Sequence, residues 1–423
     1  MGGPLVEVGV PETGAVAPWR LSLPAMGTRV DIIGHGGDLR EITSQSCVLL
    51  AELESLWSVF RPDSDVSRIN EGDSWCEVDE RSDALLQDAL ALSEACGGAF
   101  NPLIGQMGEL WDVKGWRRAL VEGRPLPSPP SEEVLASVRA CAAEPGLERD
   151  DAGRWRLRRG RAKSLPAFRR GPIDLGGIAK GAGADELRDA AVRLGAEGVL
   201  VSMGTSSIAV RGRRADGGEW RVGLRDPDGA ENEWIGRVML KGGALSTSGA
   251  CGPRLLAPRA GQASEAGQRT EVHQGREAGQ GAEVRQGRET GQGSGVRQGR
   301  EAGQGAEARR EDHVSEERSG ALLRDPRIWG HHILDPRTGC PAAPRLRQAT
   351  VMCESGVMAE ALSTALIVGG VECIDEEKLR EWAHRRGVSS EWEWVVVGEE
   401  TISSPAAGWI PKEESAGVSS LER

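Results

Sequence analysis

The chain has 423 residues, 39% of them hydrophobic, with 58 Gly, a formal net charge of -12 and a pI near 5.3. That length allows two or three domains or one elaborated domain, and few apolar residues beside many glycines imply a folded core diluted by an unfolded segment. The acidic balance gives nucleic-acid binding no electrostatic support; eight scattered cysteines without a C-x-x-C pair argue against a disulfide scaffold or a zinc site; and no stretch approaches the roughly 20 apolar residues of a membrane span.

The first 25 residues have no basic start and no apolar run of signal-peptide length, and Glu7 and Glu12 interrupt them. The first cysteine is Cys47, so there is no lipoprotein cysteine, and the expected location is cytoplasmic with no membrane insertion. Residues 1–18 read as a flexible N-terminus. Two strands follow, 19–23 and 28–33, joined through Ala25-Met26-Gly27-Thr28. Met26 is either core filler or a soft apolar contact for a flat ligand. Leu49, Leu53, Leu56 and Phe60 recur at helical spacing and predict a helix over 39–60, ended by Arg61-Pro62. The stretch 65–70 reads as a polar loop that either caps a helix or touches a ligand. Helices are expected over 83–96 and 131–142, the latter with Glu132 and Glu133 in its first turn. Between them lie Ala99-Phe100-Asn101-Pro102 and a short turn or helix over 105–111. A strand over 154–157 leads toward Ile173.

The stretch from Pro172 to Asp185 runs from a short apolar strand through Asp174, Gly176 and Gly177 to Lys180 and a helix. Leu187, Ala191 and Leu194 share one face of that helix, and Gly195 stops it. The glycines let a ligand approach the backbone, and the helix N-terminus favours anions. Lys180 adds positive charge there, and Asp174 can accept hydrogen bonds from a base or sugar. The spacing is neither a P-loop nor a dinucleotide fingerprint, and a plain strand-to-helix turn accounts for it equally well. A buried-type strand over 199–203 then turns through Gly204–Ser207 to a partner at 208–210. Strands are expected over 220–224 and 237–241, followed by the small, hydroxyl-rich run Gly242 to Gly249.

From about residue 255 to 320 the composition changes. His273-Gln274-Gly275-Arg276 opens a unit that recurs from Arg285 and from Arg297. Each unit carries at most one large apolar residue, so stacking could not bury a core, and a disordered low-complexity insert is expected. Order resumes with a strand running into the turn Asp335-Pro336-Arg337-Thr338-Gly339, then a strand over 349–353. A helix over 357–368 carries Ala361, Thr364, Ala365 and Val368 on one face. A helix over 374–386, a strand over 394–397 and a loose tail from 411 complete the chain.

Glu360 and Thr364 are four apart, so both oxygens face one side of their helix. A carboxylate and a hydroxyl near a glycine turn with free carbonyls suit a hard cation such as Mg²⁺; the alternative is a packed Thr364 and a solvated Glu360. Several motifs taken together carry a resemblance: Met26-Gly27-Thr28; Phe60-Arg61-Pro62 to Asn70; Gly98-Ala99-Phe100-Asn101-Pro102; Asp174-Leu175-Gly176-Gly177-Ile178-Ala179-Lys180-Gly181; Thr247-Ser248-Gly249; His332-Ile333-Leu334-Asp335-Pro336-Arg337-Thr338-Gly339; and Glu360 to Thr364. In that order and spacing the sequence resembles the ApbE family, the FAD:protein FMN transferases, from Met26 to about Gly370.

The resemblance implies an α/β fold of the α+β type, with mixed sheets and packed helices. It would occupy 19–254 and 321–410, interrupted by the insert at 255–320 and followed by a flexible tail at 411–423. It also implies FAD as substrate, lying against Met26, Phe60, Ala99, Phe100, Asn101, Asp174 and Lys180, with Leu334 nearby. Mg²⁺ would be held by the Gly177 carbonyl, Glu360 and Thr364, with His332 beside the pyrophosphate as a catalytic acid or base. The implied partner is an acceptor flavoprotein, whose Thr or Ser takes FMN through a phosphoester as AMP leaves. Three positions depart from the family's usual pattern: Glu360 stands for Asp, Gly204-Thr205-Ser206 for Gly-Gly-Asp, and Asn101 for Asp. An FAD pyrophosphatase releasing FMN and AMP, or a non-catalytic FAD-binding protein, are the alternative readings.

Overall fold

A computed structural model of the chain describes residues 5–8, 17–122, 124–125, 129–143, 146–158, 168–204, 206–229, 233–249, 332–342, 346–398 and 401–412. The repeat insert expected over 255–320, Thr205 and nearly all of the tail expected over 411–423 lie outside the described residues.

Strands β1 (Leu5–Val8), β2 (Trp19–Ala25) and β3 (Thr28–Gly36) pair antiparallel in sequence order. β1 thus adds a strand within the stretch expected to be a flexible N-terminus. Ala25 pairs with Thr28, so Met26 (φ 50) and Gly27 (φ 70) form a two-residue hairpin loop. Positive φ at both positions is what a loop of this length needs to match the twist of its strands.

The helices are α1 (Leu39–Trp57), α2 (Asp65–Asn70), α3 (Glu80–Ala95), α4 (Gly105–Trp111), α5 (Val113–Val121) and α6 (Glu132–Ala143). After β4 (Leu147–Arg149) and β5 (Trp155–Leu157) come α7 (Ala179–Arg193), β6 (Ala196–Met203) and β7 (Ser207–Gly212). Strands β8 (Trp220–Arg225), β9 (Trp234–Leu240) and β10 (Gly243–Gly249) follow. The last part holds β11 (Leu334–Asp335), β12 (Cys340–Pro341), β13 (Gln348–Cys353), α8 (Gly356–Gly369), α9 (Glu376–Arg386), β14 (Trp392–Val397), β15 (Ile402–Ser403) and β16 (Trp409–Pro411).

A nine-stranded sheet in the order β1-β2-β3-β6-β7-β10-β13-β14-β15 is the centre of the fold, with β16-β9-β8 as a second sheet. The described strand pairs are all antiparallel. Alternate residues of the central strands feed two cores, as the two-residue side-chain period dictates. Val199, Val201, Met203, Ala209 and Ala244 pack with Leu50 of α1 and Leu187 of α7. Leu200, Val210 and Leu245 pack on the other side with Trp220, Val222 and Val238 of the small sheet. Helices therefore cover one face and β8-β9 the other, which explains strands apolar on both sides.

Three local expectations change. α1 ends at Trp57, and its buried stripe is Ile42, Ser46, Leu50, Leu53 and Trp57 rather than Leu49, Leu53, Leu56 and Phe60. Apolar residues occupy both registers of this helix; the one that reaches the sheet runs through Ile42 and Leu50. Residues 65–70 form a helix, because Ser64 Oγ accepts the Ser67 N–H at 3.0 Å and Val66 and Ile69 are buried beneath it. Ile173 lies in no strand; side-chain and turn hydrogen bonds hold its segment.

Candidate functional site

The glycine turn ahead of α7 is pinned from two sides. Asn70, at the end of α2, donates from Nδ2 to the Ile173 carbonyl at 2.9 Å and accepts the Ile173 N–H on Oδ1 at 3.0 Å. The Asp174 N–H donates to the Pro102 carbonyl at 2.8 Å, and the Gly105 N–H to the Pro172 carbonyl at 2.8 Å. Asp174 Oδ1 in turn accepts the Gly176 N–H at 2.8 Å, an Asx-type closure that fixes the turn. Gly176 and Gly177 are exposed, and a Cβ on Gly177 would sit 3.5 Å from Cε2 of Phe100. Phe100 and Ala99 are buried behind the turn. No side chain caps α7 at Ile178; the Ile178 and Ala179 N–H groups both donate to the Leu175 carbonyl, at 2.9 and 2.8 Å, and the positive end of the helix dipole at this turn favours an anion. Lys180 Nζ donates to the Gly176 carbonyl at 3.1 Å, which puts its ammonium over the turn.

Helix α8 crosses α7 where both have glycine. A Cβ on Gly181 would stand 2.1 Å from the Gly356 carbonyl oxygen, so only glycine permits this approach. The contact carries Glu360 to the start of α7. Glu360 is 4% exposed. Its Oε1 accepts a hydrogen bond from the Ser207 hydroxyl at the start of β7, and its Oε2 is 3.9 Å from Lys180 Nζ. Burial pushes the Glu360 carboxyl above its ordinary range, against the pull of Lys180 and Ser207.

One turn along α8, Thr364 Oγ1 lies 3.3 Å from Ser248 Oγ, which is 2.9 Å from Ser363 Oγ; Ser363 is 3.1 Å from Ser246 Oγ. Asp185 of α7 accepts the Gly356 N–H at 2.7 Å and pairs with Arg188 at 2.8 Å, and burial pushes its carboxyl up to about 6. Asp174, Gly177, Phe100, Lys180, Glu360 and Thr364 thus belong to one neighbourhood, built from the α7 start, the α8 face and the strands β7 and β10.

The other expected residues sit differently. Met26 packs against the helix-side core from its hairpin loop, and that loop and the β6–β7 connection share one end of the sheet. Phe60 is 72% exposed, with the Arg170 guanidinium 4.5 Å from its ring centroid. Asn101 uses both ends of its amide within the fold, on the Ala142 carbonyl at 3.2 Å and the Leu103 N–H at 2.8 Å. Leu334 is buried and pairs with Pro341. His332 is exposed just ahead of the β11–β12 hairpin. That hairpin is docked by Trp111 Nε1 on the Gly339 carbonyl at 2.7 Å and by Arg337 on the Val368 carbonyl at 3.1 Å.

Sequence reasoning has Asn70 and Gly181 only as motif positions, without the clamp and the helix contact they make, and it misses Ser207. Ser207 has a weak signal: a hydroxyl at the first position of an apolar strand, following a glycine turn. Gly181 and Gly356 have none, since they act across a contact between distant helices.

Among the described residues no three His, Cys, Asp or Glu side chains converge on one point. The donors expected from the sequence are the Glu360 carboxylate, the Thr364 hydroxyl and the Gly177 carbonyl. This all-oxygen set fits Mg²⁺, which takes few protein ligands and completes its shell with phosphates and water.

A sequence profile of the ApbE family matches residues 26–262 and 322–387. A Treponema pallidum protein named FAD:protein FMN transferase is 32% identical over 48% of this chain and 55% of its own length. A Salmonella typhimurium protein of the same name is 29% identical over 56% of this chain and 66% of its own. The chain thus spans between about half and two thirds of these curated relatives. The flavin transferase ApbE from Vibrio cholerae superposes with a TM-score of 0.58 at 20% identity, covering 95% of this chain and 98% of that one. The ApbE protein from Thermotoga maritima gives 0.58 at 23%, covering 92% and 96%. These two likenesses establish a shared α/β fold, and with the profile spanning both parts of the folded chain, this protein belongs to the ApbE family.

Proposed function

We propose that the protein is an Mg²⁺-dependent FAD:protein FMN transferase. It cleaves FAD and leaves FMN on a Thr or Ser of an acceptor flavoprotein through a phosphoester, releasing AMP. The observation that carries this reading is the meeting of Lys180, the uncapped α7 start and buried Glu360 at one glycine turn. Family membership and relatives named FAD:protein FMN transferase support it.

The pyrophosphate of FAD lies on the α7 N-terminus beside Lys180, where peptide N–H groups and the ammonium favour negative charge. Asp174 faces the nucleotide, and the exposed backbone at Gly176 and Gly177 allows close contact. Phe60 and Met26 offer apolar surface to the flat rings, and Phe100 backs the glycine turn from behind. Ala99, Asn101 and Leu334 act through the backbone they position. Glu360, Thr364 and the Gly177 carbonyl would hold Mg²⁺, which when bound would neutralise phosphate charge.

The acceptor hydroxyl forms a bond to the FMN phosphorus while the bridging P–O bond breaks, and AMP leaves with that electron pair. The hydroxyl proton passes to a base, the role given to His332. The protein's contribution is mainly positioning and electrostatics, as in phosphoryl transfer generally. The seven described cysteines are all free, which supports a reducing, cytoplasmic setting. Among the described residues no helix is long and apolar enough to cross a membrane.

Nucleotide chromatography tests the reading. With FAD, Mg²⁺ and a threonine-bearing acceptor, AMP should appear without free FMN. AMP with equal free FMN identifies a pyrophosphatase, and intact FAD identifies a binding protein.

A further inference from the structure

Ser207 is 1% exposed, and its hydroxyl donates to Glu360 Oε1. Two strands hold it: it pairs with Met203 of β6 and with Ser246 of β10. On the opposite side the stem of Glu360 lies against Gly181, where a Cβ would come within 2.9 Å of Glu360 Cγ. The carboxylate is therefore fixed at its tip by one hydroxyl and along its stem by a bare helix backbone. Lys180 holds the other oxygen only at 3.9 Å and is itself bound to the Gly176 carbonyl.

From this geometry we infer that Ser207 is a positioning residue for the Glu360 carboxylate, setting the direction in which its second oxygen is offered to the metal. The inference rests on the proposed Mg²⁺ and FAD reading. Its logic is steric. The hydroxyl is placed for a glutamate; an aspartate at 360 is one methylene shorter and withdraws its carboxylate from Ser207. Removing the hydroxyl frees the Glu360 tip to rotate in a closed space. A partner of a metal ligand commonly matters for affinity by tenfold or more although it never touches the ion.

The test is FAD binding to the full chain, followed by flavin fluorescence across an Mg²⁺ series and in EDTA, with melting temperature measured for each variant. Ser207→Ala should raise the Mg²⁺ half-saturation of FAD binding about tenfold while leaving FAD affinity in EDTA unchanged. Ser207→Thr, which keeps the hydroxyl, should restore most of it. In a Glu360→Asp background Ser207→Ala should change the half-saturation less than about twofold, because no hydrogen bond remains to lose. An unchanged half-saturation in Ser207→Ala overturns the inference while leaving the FAD reading intact. An equal effect in both backgrounds also overturns it, since the serine would then act on the fold generally. If the wild type binds FAD identically with Mg²⁺ and with EDTA, the metal reading fails and the inference with it.

Discussion

Gly181→Ala should destabilise the protein although alanine is the better helix former. Gly181 lies in the first turn of α7, and alanine in a helix interior is worth about 1 kcal/mol over glycine. Against that gain, the new Cβ would stand 2.1 Å from the Gly356 carbonyl oxygen and 2.5 Å from its carbon. Both are backbone atoms of α8, so no rotamer change relieves the overlap; the helices must part. Overpacking of this kind costs about 1–3 kcal/mol, and contact with backbone places it at the upper end. The net expectation is a loss of about 2 kcal/mol. The same displacement carries Glu360 away from Lys180 and Ser207, and a shift of about 1 Å at such a site can cost about a hundredfold in rate. Gly183→Ala is the control. Its Cβ meets Met203 Sδ at 3.0 Å and Leu53 Cδ1 at 3.6 Å, both ends of flexible side chains. It should stay within about 1 kcal/mol of wild type. Urea unfolding of both variants decides the matter; Gly181→Ala as stable as Gly183→Ala would refute the close-approach argument.

Three further outcomes are expected. Asn70→Ala removes two hydrogen bonds from the Ile173 backbone and should cost about 1–3 kcal/mol by urea unfolding, with weaker FAD binding as the turn loosens. Asp185 is raised from 3.8 to about 6 by burial, so its protonated form suits the fold; its contribution is full below 3.8 and lost as pH rises through about 6. Between pH 7 and 4.5 the wild type should therefore gain about 2 kcal/mol relative to Asp185→Asn, and a pH-independent difference between the two would contradict this. Glu360→Gln and Thr364→Val should each lower Mg²⁺-dependent FAD binding about tenfold or more, with Mn²⁺ able to replace Mg²⁺, as titration of each metal will show.

Much of the fold is legible because its signals are local. The β2–β3 hairpin follows from Met26-Gly27 between alternating strands, and α7 from Leu187 and Ala191 with Gly195 at its end. Elements fail to read where the deciding force is tertiary. Ile173 looks like a strand because it is apolar, yet its hydrogen bonds go to Asn70, more than a hundred residues earlier in the chain. The α1 stripe is ambiguous because apolar residues line two registers and only docking on the sheet selects one. The site is half legible. Glu360 and Thr364 share a helix face by simple spacing, and Lys180 sits beside its glycines. That Glu360 would meet Lys180 depends on Gly181 and Gly356 closing together, which no local pattern reports.

Whether flavin is transferred to protein is read from the mass of the acceptor. Purified protein, FAD, Mg²⁺ and a threonine-bearing acceptor domain are incubated, and the intact acceptor is weighed with and without Glu360→Gln. The acceptor should gain the mass of one FMN, bound as a phosphoester to threonine, and the gain should fall sharply in the variant. An acceptor unchanged in mass while FAD is consumed or stays bound would contradict flavin transfer.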